Sequence, residues 1–369
     1  MEVLNMSYRK VLFAIGSLSG GGAERVVCDW ANKLSERGFQ VAVLVFGRKH
    51  DEYFLSDKVT IFSCAESFEK YVSIPYFKRF QYFRKTIRRF RPDFLIPFLF
   101  SMRFWMFVST LGLGVSRIET IRINPWVEED TLNYMERLIN KLSFRTSYKV
   151  IIQAQEQMEW LSSADRNKTV LVRNPLADKY IDIPCKQLSK SVSDFIAVGR
   201  LDKQKNYPMM IEGFSEVAKK IPHIRLKIWG EGPEEYKKYL QNLIDSCGMG
   251  DKIFLMGRTS EINAEYAKSD VFVMTSDFEG SPNALIEAMA SRLVCISTDC
   301  MTGPKELITH NYNGFLVSVG SRKEFCEALY RIMEMDINTR SVIADAARRE
   351  VLLSHSKEKS IDVLCELMR

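Results

Sequence analysis

Continuous apolar runs alternate with amphipathic stretches along almost the whole chain. KVLFAIG at 10–16 is apolar without interruption, as a strand covered on both faces requires. SLSGGGAE follows as a glycine-rich turn. RVVCDWANKLSERG then places apolar residues at helical spacing and ends on Gly38, a helix stop. QVAVLVFG at 40–47 is the next buried strand, so the opening predicts a right-handed βαβ unit. Further strands are predicted at VTIFSC, PDFLIPF, IETIRI, YKVIIQA and TVLVRN. Alternation of this kind implies a parallel sheet with helices on both faces.

The stretch at 174–194, NPLADKYIDIPCKQLSKSVSD, is polar and irregular and reads as an interdomain linker. The pattern then restarts. Strands are predicted at DFIAVGRL, IRLKIWGEG, KIFLMG, DVFVMTS, VCISTD and GFLVSV. Helices are predicted at YPMMIEGFSEVAKKIP, PEEYKKYLQNLIDSCG, TSEINAEYAKS, SPNALIEAMASR and SRKEFCEALYRIMEM. The prediction is therefore α/β, with two doubly wound, Rossmann-like domains. The first spans 1–185, the second 186–349, and a C-terminal helix at about 350–369 packs back on the first. A length of 369 residues suits two domains of roughly 150 to 200 residues each. Ligands of such sheets bind at the C-terminal strand edges, which singles out the loops 16–24, 199–206 and 275–284.

Composition narrows the possibilities. Apolar residues make up 46% and charged residues 27%, as in ordinary globular proteins. The eight cysteines form no C-x-x-C pair and only four histidines occur, which argues against a metal site and for free thiols in a reducing compartment. The apolar run Val11 to Ile15 reads as a first strand and not a signal segment. The stretch from Phe94 to Leu113 is broken by Pro97, Arg103 and Gly112, against a spanning helix. Residues 1–185 hold 27 Lys+Arg against 20 Asp+Glu, or +7, and the remainder 25 against 26, or −1. The excess charge sits in the first half, whose partner is therefore expected to be anionic. YFKRFQYFRKTIRRFR at 76–91 concentrates it: seven basic residues, six aromatics and no acid. As a helix it predicts an in-plane contact with anionic lipid, with a nucleic-acid groove disfavoured for want of any known motif.

Three motifs carry candidate chemistry. SDFEGSPNALIEAMAS at 276–291 holds Glu279 and Glu287 in an E-x7-E arrangement, entered from a buried strand. Pro282 suits the first helical turn, and the N–H groups of Ser281, Asn283 and Ala284 would offer a diphosphate site, with Gly280 in the turn. VGRLDKQKN at 198–206 brings Arg200 and Lys205, a bidentate and a mobile phosphate ligand. Gly21, Gly22 and Glu24 open the first helix, where glycine lets backbone approach a ligand. This loop is not G-x-G-x-x-G, which disfavours a dehydrogenase.

These residues, with IWGEGPEEYKKYL, FLMGRTSEINAEYAKSD and TDCMTGPKELITHNYNGFLV, resemble the retaining GT-B glycosyltransferases of family 4, in particular the bacterial polysaccharide and lipid-linked-oligosaccharide branch. The resemblance covers essentially the whole chain. It implies a cytoplasmic enzyme, peripheral on the inner face of the membrane, that moves a hexose or N-acetylhexosamine from a nucleotide sugar to a glycan or polyprenyl-diphosphate-linked acceptor. A UDP-sugar is the expected donor, no cofactor or metal is implied, and no nucleic acid is expected as partner. Arg200 and Lys205 would hold the diphosphate, Glu279 the donor sugar and Glu287 the ribose. The backbone of Gly257 and Arg258, with Gly230 nearby, would hold the base, and Gly21 and Gly22 would close over the phosphates. One departure stands out: no histidine lies between 51 and 222, where many relatives carry one. TIRINPWVEED at 120–130 takes its place and puts Arg122 or Asn124 on the acceptor side, to which Glu24 is also assigned. Two rivals remain: a nucleotide-sugar epimerase, which would act on donor alone, and a non-catalytic nucleotide-sugar-binding subunit, which would bind donor and transfer nothing.

Overall fold

A computed structural model describes residues 9–181 and 187–369. The chain divides into two compact units, 1–175 with 357–369, and 176–356. The predicted boundary at 185/186 lies outside the described residues, and the part of the predicted linker before it, from Leu176, already belongs to the second unit.

Unit 1 is built on seven parallel strands: β1 (Lys10–Ile15), β2 (Gln40–Gly47), β3 (Thr60–Ala65), β4 (Phe94–Pro97), β5 (Ser116–Thr120), β6 (Lys149–Ile152) and β7 (Thr169–Leu171), in the order β3-β2-β1-β4-β5-β6-β7. The fully apolar runs become the central strands. Val11 to Ile15 and Val41 to Val45 are buried throughout, while β3, at the edge, is only half covered. IETIRI does not remain a strand to its end: β5 stops at Thr120, and Arg122 leaves the sheet. The helix Gly22–Glu36 buries Val26, Val27, Trp30, Ala31 and Leu34 against one face. The C-terminal helix Lys357–Leu367 adds Ile361 and Leu364 to the same core, with Lys357 Nζ 3.3 Å from Asp29 and Arg37 paired with Glu358 and Asp362. The helix that precedes it, Ile337–Ser354, belongs to unit 2.

Unit 2 holds β8 (Asp194–Val198), β9 (Arg225–Trp229), β10 (Ile253–Gly257), β11 (Val271–Met274), β12 (Val294–Thr298) and β13 (Phe315–Val317), all parallel, ordered β10-β9-β8-β11-β12-β13. In both sheets the order reverses beside the first strand of the unit, β1 against β4 and β8 against β11. That switch point opens a crevice at the C-terminal strand ends.

The helix Tyr76–Phe90 forms where expected, but its apolar face is already used. Phe83, Ile87 and Phe90 are buried in the core of unit 1, leaving Lys78, Lys85, Arg88 and Arg89 outward, with Tyr76 and Phe77 exposed in the first turn. Among the described residues no helix is long and apolar enough to cross a membrane.

Candidate active site

The unit 2 site is assembled from loops that leave β8, β9 and β11. Backbone approaches backbone so closely here that side chains are excluded. A Cβ at Gly230, whose φ is +148°, would lie 1.9 Å from the carbonyl oxygen of Gly199, and one at Gly232 2.0 Å from that of Leu201. The N–H of Gly199 donates to Trp229 and that of Gly230 to Gly257, tying the three strand ends together. Gly257 itself, at φ +75°, has open space where a side chain would be, and Arg258 beside it is exposed.

The 203–206 turn is laced to the 275–279 loop. The Thr275 hydroxyl lies 3.0 Å from the carbonyls of both Lys205 and Asn206, Gln204 Nε2 donates to Phe278 O at 2.7 Å, and Asn206 Nδ2 donates to Asp277 at 2.8 Å. This lacing brings Lys205 Nζ to 2.6 Å from Glu279 Oε1, which also accepts from the Ser276 hydroxyl at 2.6 Å. Glu279 is 5% exposed. Its backbone is held too: the Thr302 hydroxyl donates to its carbonyl. Thr302 has φ +64°, which a β-branched residue rarely adopts, and Gly303 follows at +106° with a Cβ position 2.6 Å from Pro282. Arg200 does not join this pair. Its side chain is largely exposed and reaches Asp202 at 3.5 Å.

Pro282 is the N-cap of the helix Asn283–Ala290 and lies just outside the first turn where the sequence put it. The cap makes no side-chain hydrogen bond. Residues Ser281, Asn283 and Ala284 stand at the start of this helix, whose first N–H groups have no intrahelical acceptor and favour anions. On the same helix Glu287 is 7% exposed, and the Tyr180 hydroxyl donates to its Oε2 at 3.1 Å. Tyr266 donates to Ala284 O at 3.2 Å and packs beside Tyr180. Tyr180, Ser276 and Thr302 are site residues that motif reading missed. The latter two lie inside the quoted motifs, whereas nothing local marks Tyr180. Nearby, burial and the Glu279 carboxylate push the Cys300 thiol up to about 12, so it is no nucleophile at neutral pH.

In unit 1, Gly21 is the N-cap of the first helix and Gly22 its first residue. Glu24 folds back over them: a Cβ at Gly21 would lie 2.3 Å from Glu24 Oε2. Asn124 accepts from the N–H groups of Trp126 and Val127, so its side chain caps the helix Pro125–Thr131 and its nearly complete burial follows from that task. Arg122 is buried against the rings of Trp30 and Phe98, 4.4 and 4.2 Å from their centroids. No group of three His, Cys, Asp or Glu side chains is arranged to hold a metal among the described residues.

Two parallel doubly wound units, the second with a basic–acidic pair and a helix N-terminus at its switch point, form the two-domain α/β architecture of this chain. Residues 20–175 match the model of Glycosyltransferase Family 4, and 184–350 that of Glycosyl transferases group 1. The chain belongs to these GT-B glycosyltransferases of family 4. An uncharacterized glycosyltransferase of Haemophilus influenzae is 28% identical over 331 residues, covering 87% of this chain and 89% of that one. The α-1,4-N-acetyl-D-galactosaminyltransferase of Campylobacter jejuni that is named for a diNAcBac-PP-undecaprenol-linked acceptor is 24% identical over 375 residues, covering 97% and 99%. Among solved structures, Anabaena HepE in complex with UDP aligns with a TM-score of 0.77 at 18% identity, over 97% of this chain and 98% of that one.

Proposed function

We propose that this glycosyltransferase moves a hexose or N-acetylhexosamine from a UDP-sugar, with retention and without a metal, to a glycan acceptor carried on a lipid diphosphate. The carrying observation is the part-buried Lys205–Glu279 pair at the switch point of unit 2, with Glu279 on the same loop-helix segment as Glu287. Lys205, the start of the helix Asn283–Ala290 and the exposed Arg200 would meet the charge that builds on the departing diphosphate. Glu279, fixed by Ser276 and Lys205, would accept hydrogen bonds from sugar hydroxyls, and Glu287 would take the ribose. The acceptor hydroxyl would attack the anomeric carbon on the face the diphosphate leaves, and the leaving phosphate oxygen would take its proton. Uridine as the base and a lipid-diphosphate acceptor draw support from what HepE and the Campylobacter enzyme are named for.

Unit 1 would serve the acceptor from the inner membrane surface. Beside the basic face of Tyr76–Phe90, the helix Tyr134–Arg145 exposes Tyr134, Met135, Leu138 and Leu142 among Arg137, Lys141 and Arg145. Both helices flank Phe100–Thr110. Basic and apolar groups exposed together on each of these helices suit anionic lipid.

The test is thermal stabilisation by a panel of UDP-, GDP- and ADP-sugars, with and without EDTA. A ligand at a hundred times its Kd adds about 2.7 kcal/mol. Stabilisation by one UDP-sugar, unchanged by EDTA, is expected. No stabilisation by any nucleotide sugar would overturn the donor-site reading.

A further inference from the structure

Unit 1 contains two kinds of buried arginine. Arg103 and Arg117 are answered by carboxylates: Arg103 lies 3.2 Å from Glu128 and 3.5 Å from Glu119, and Arg117 3.0 Å from Glu119. Arg122 is not. Its Nη1 donates to Asn174 Oδ1 at 3.2 Å. In the amide orientation that satisfies both its ends, Gln153 also accepts from Nη1 and donates to the Arg122 carbonyl, each at 3.1 Å. Nε and Nη2 are buried and have no hydrogen-bond partner. The indole Nε1 of Trp30, the ring over which the Arg122 guanidinium carbon lies, is likewise buried without an acceptor.

These leftovers have a shape. Nε–H and Nη2–H form one edge of the guanidinium and point the same way, the fork that receives both oxygens of a carboxylate or phosphate. The aromatic faces and the Nη1 contacts fix the plane, so the edge is pre-oriented. An unpaired buried cation with orphaned donors is destabilising unless something completes it. With no anion beside it, burial pulls the guanidinium down to about 9, which still leaves it charged at neutral pH. Its place also fits a ligand: Arg122 follows β5, Gln153 follows β6 and Phe98 follows β4, all at the C-terminal edge of the sheet.

We propose that Arg122 is the anchor for an oxyanion of the acceptor substrate, a phosphate or a carboxylate, gripped side-on through Nε–H and Nη2–H with the Trp30 indole as an additional donor. The proposal rests on the reading of unit 1 as the acceptor domain. Neither nitrogen is open to water, so the anion seats only as the side chains around the edge give way.

The test uses the full-length protein saturated with UDP, which occupies the donor diphosphate site. Calorimetric titration compares farnesyl diphosphate with farnesol, and methyl glucuronide with methyl glucoside. One anion is expected to bind at least tenfold more tightly than its neutral counterpart, and which one does distinguishes a lipid diphosphate from an acidic sugar. Arg122→Gln should abolish that preference with UDP affinity unchanged. Arg122→Lys, which keeps the charge and loses the fork, should recover only part of it, and decides the matter if the glutamine variant does not fold. If neither anion is preferred over its neutral counterpart, or if the variants bind as wild type does, the proposal is overturned. Failure of UDP itself to bind would instead sink the donor reading of unit 2.

Discussion

Each unit holds an ion pair away from its surface, buried in unit 1 and half-buried in unit 2, and the two are built for opposite purposes. In unit 1 the Arg103–Glu119 pair sits 2% and 0% exposed by side chain, with Arg103 Nε 3.5 Å from Glu119 Oε2 and neither atom making a hydrogen bond, while neighbours meet most of the other valences. Asn140 and the Thr120 carbonyl accept from Arg103, while Ser143 and Arg117 donate to Glu119. In unit 2 the Lys205 side chain is 18% exposed and Glu279 7%. That pair is held by loops whose backbones are pinned, at a sheet edge where ligands bind. A network whose charges answer one another inside the core has little to offer a substrate, and its value lies in fixing the helices around it. A pair fixed from behind and open in front can exchange one partner for a ligand.

The largest expected effect tests the closed side. Arg103→Met leaves Glu119 and Glu128 buried with one cation fewer, and breaking a buried pair from one side costs about 3–5 kcal/mol. Urea unfolding should show the loss, while the protein that remains folded should bind UDP-sugar normally. If Arg103→Met is as stable as wild type, the network is not the brace described here.

The mirror experiment is Lys205→Met. Turnover should fall by roughly 10²- to 10³-fold, as when one preorganised charge contact to a transition state is lost. The unfolding midpoint in urea should move much less than for Arg103→Met. A variant that unfolds as readily as Arg103→Met but turns over normally when folded would reverse the assignment of the two pairs. Glu287→Ala comes next. It should leave folding nearly intact and weaken UDP binding by about 1.5–3 kcal/mol, the usual worth of hydrogen bonds to a charged group. Calorimetric titration of UDP measures it, and an unchanged Kd would remove Glu287 from the ribose.

The contrast also explains what could be read from the sequence. The central strands were legible because burial on both faces leaves no polar position to misread, as in Val11 to Ile15 and Val41 to Val45. The E-x7-E segment was legible as a strand–loop–helix because Pro282 and the apolar run before it are local signals. Contacts across the fold were not. TIRINP read as the end of a strand followed by site residues, yet Asn124 before Pro125 is a local capping signal that the structure uses as such. The helix Tyr76–Phe90 showed its period but not which face would be covered, because that depends on the core it meets. Tyr180 lay in a stretch that looks like a linker, and its partner is 107 residues away.

Tyr180 supplies the smallest effect, and the most discriminating. Its ring is buried with Tyr266, and its hydroxyl donates to the carboxylate proposed for the ribose. Tyr180→Phe keeps the ring and its packing and removes only that donor. A single hydrogen bond is worth about 0.5–1.5 kcal/mol net, so UDP should bind roughly two- to tenfold more weakly if the hydroxyl orients Glu287 for its ligand. If the bond serves only to hold the 178–180 turn onto the rest of unit 2, the same energy should appear instead as lost stability, with the UDP dissociation constant unmoved. Measuring both quantities on one variant therefore decides whether Glu287 is braced, like Lys205 and Glu279, from behind for a ligand in front, or closed upon its own neighbours, like Arg103 and Glu119.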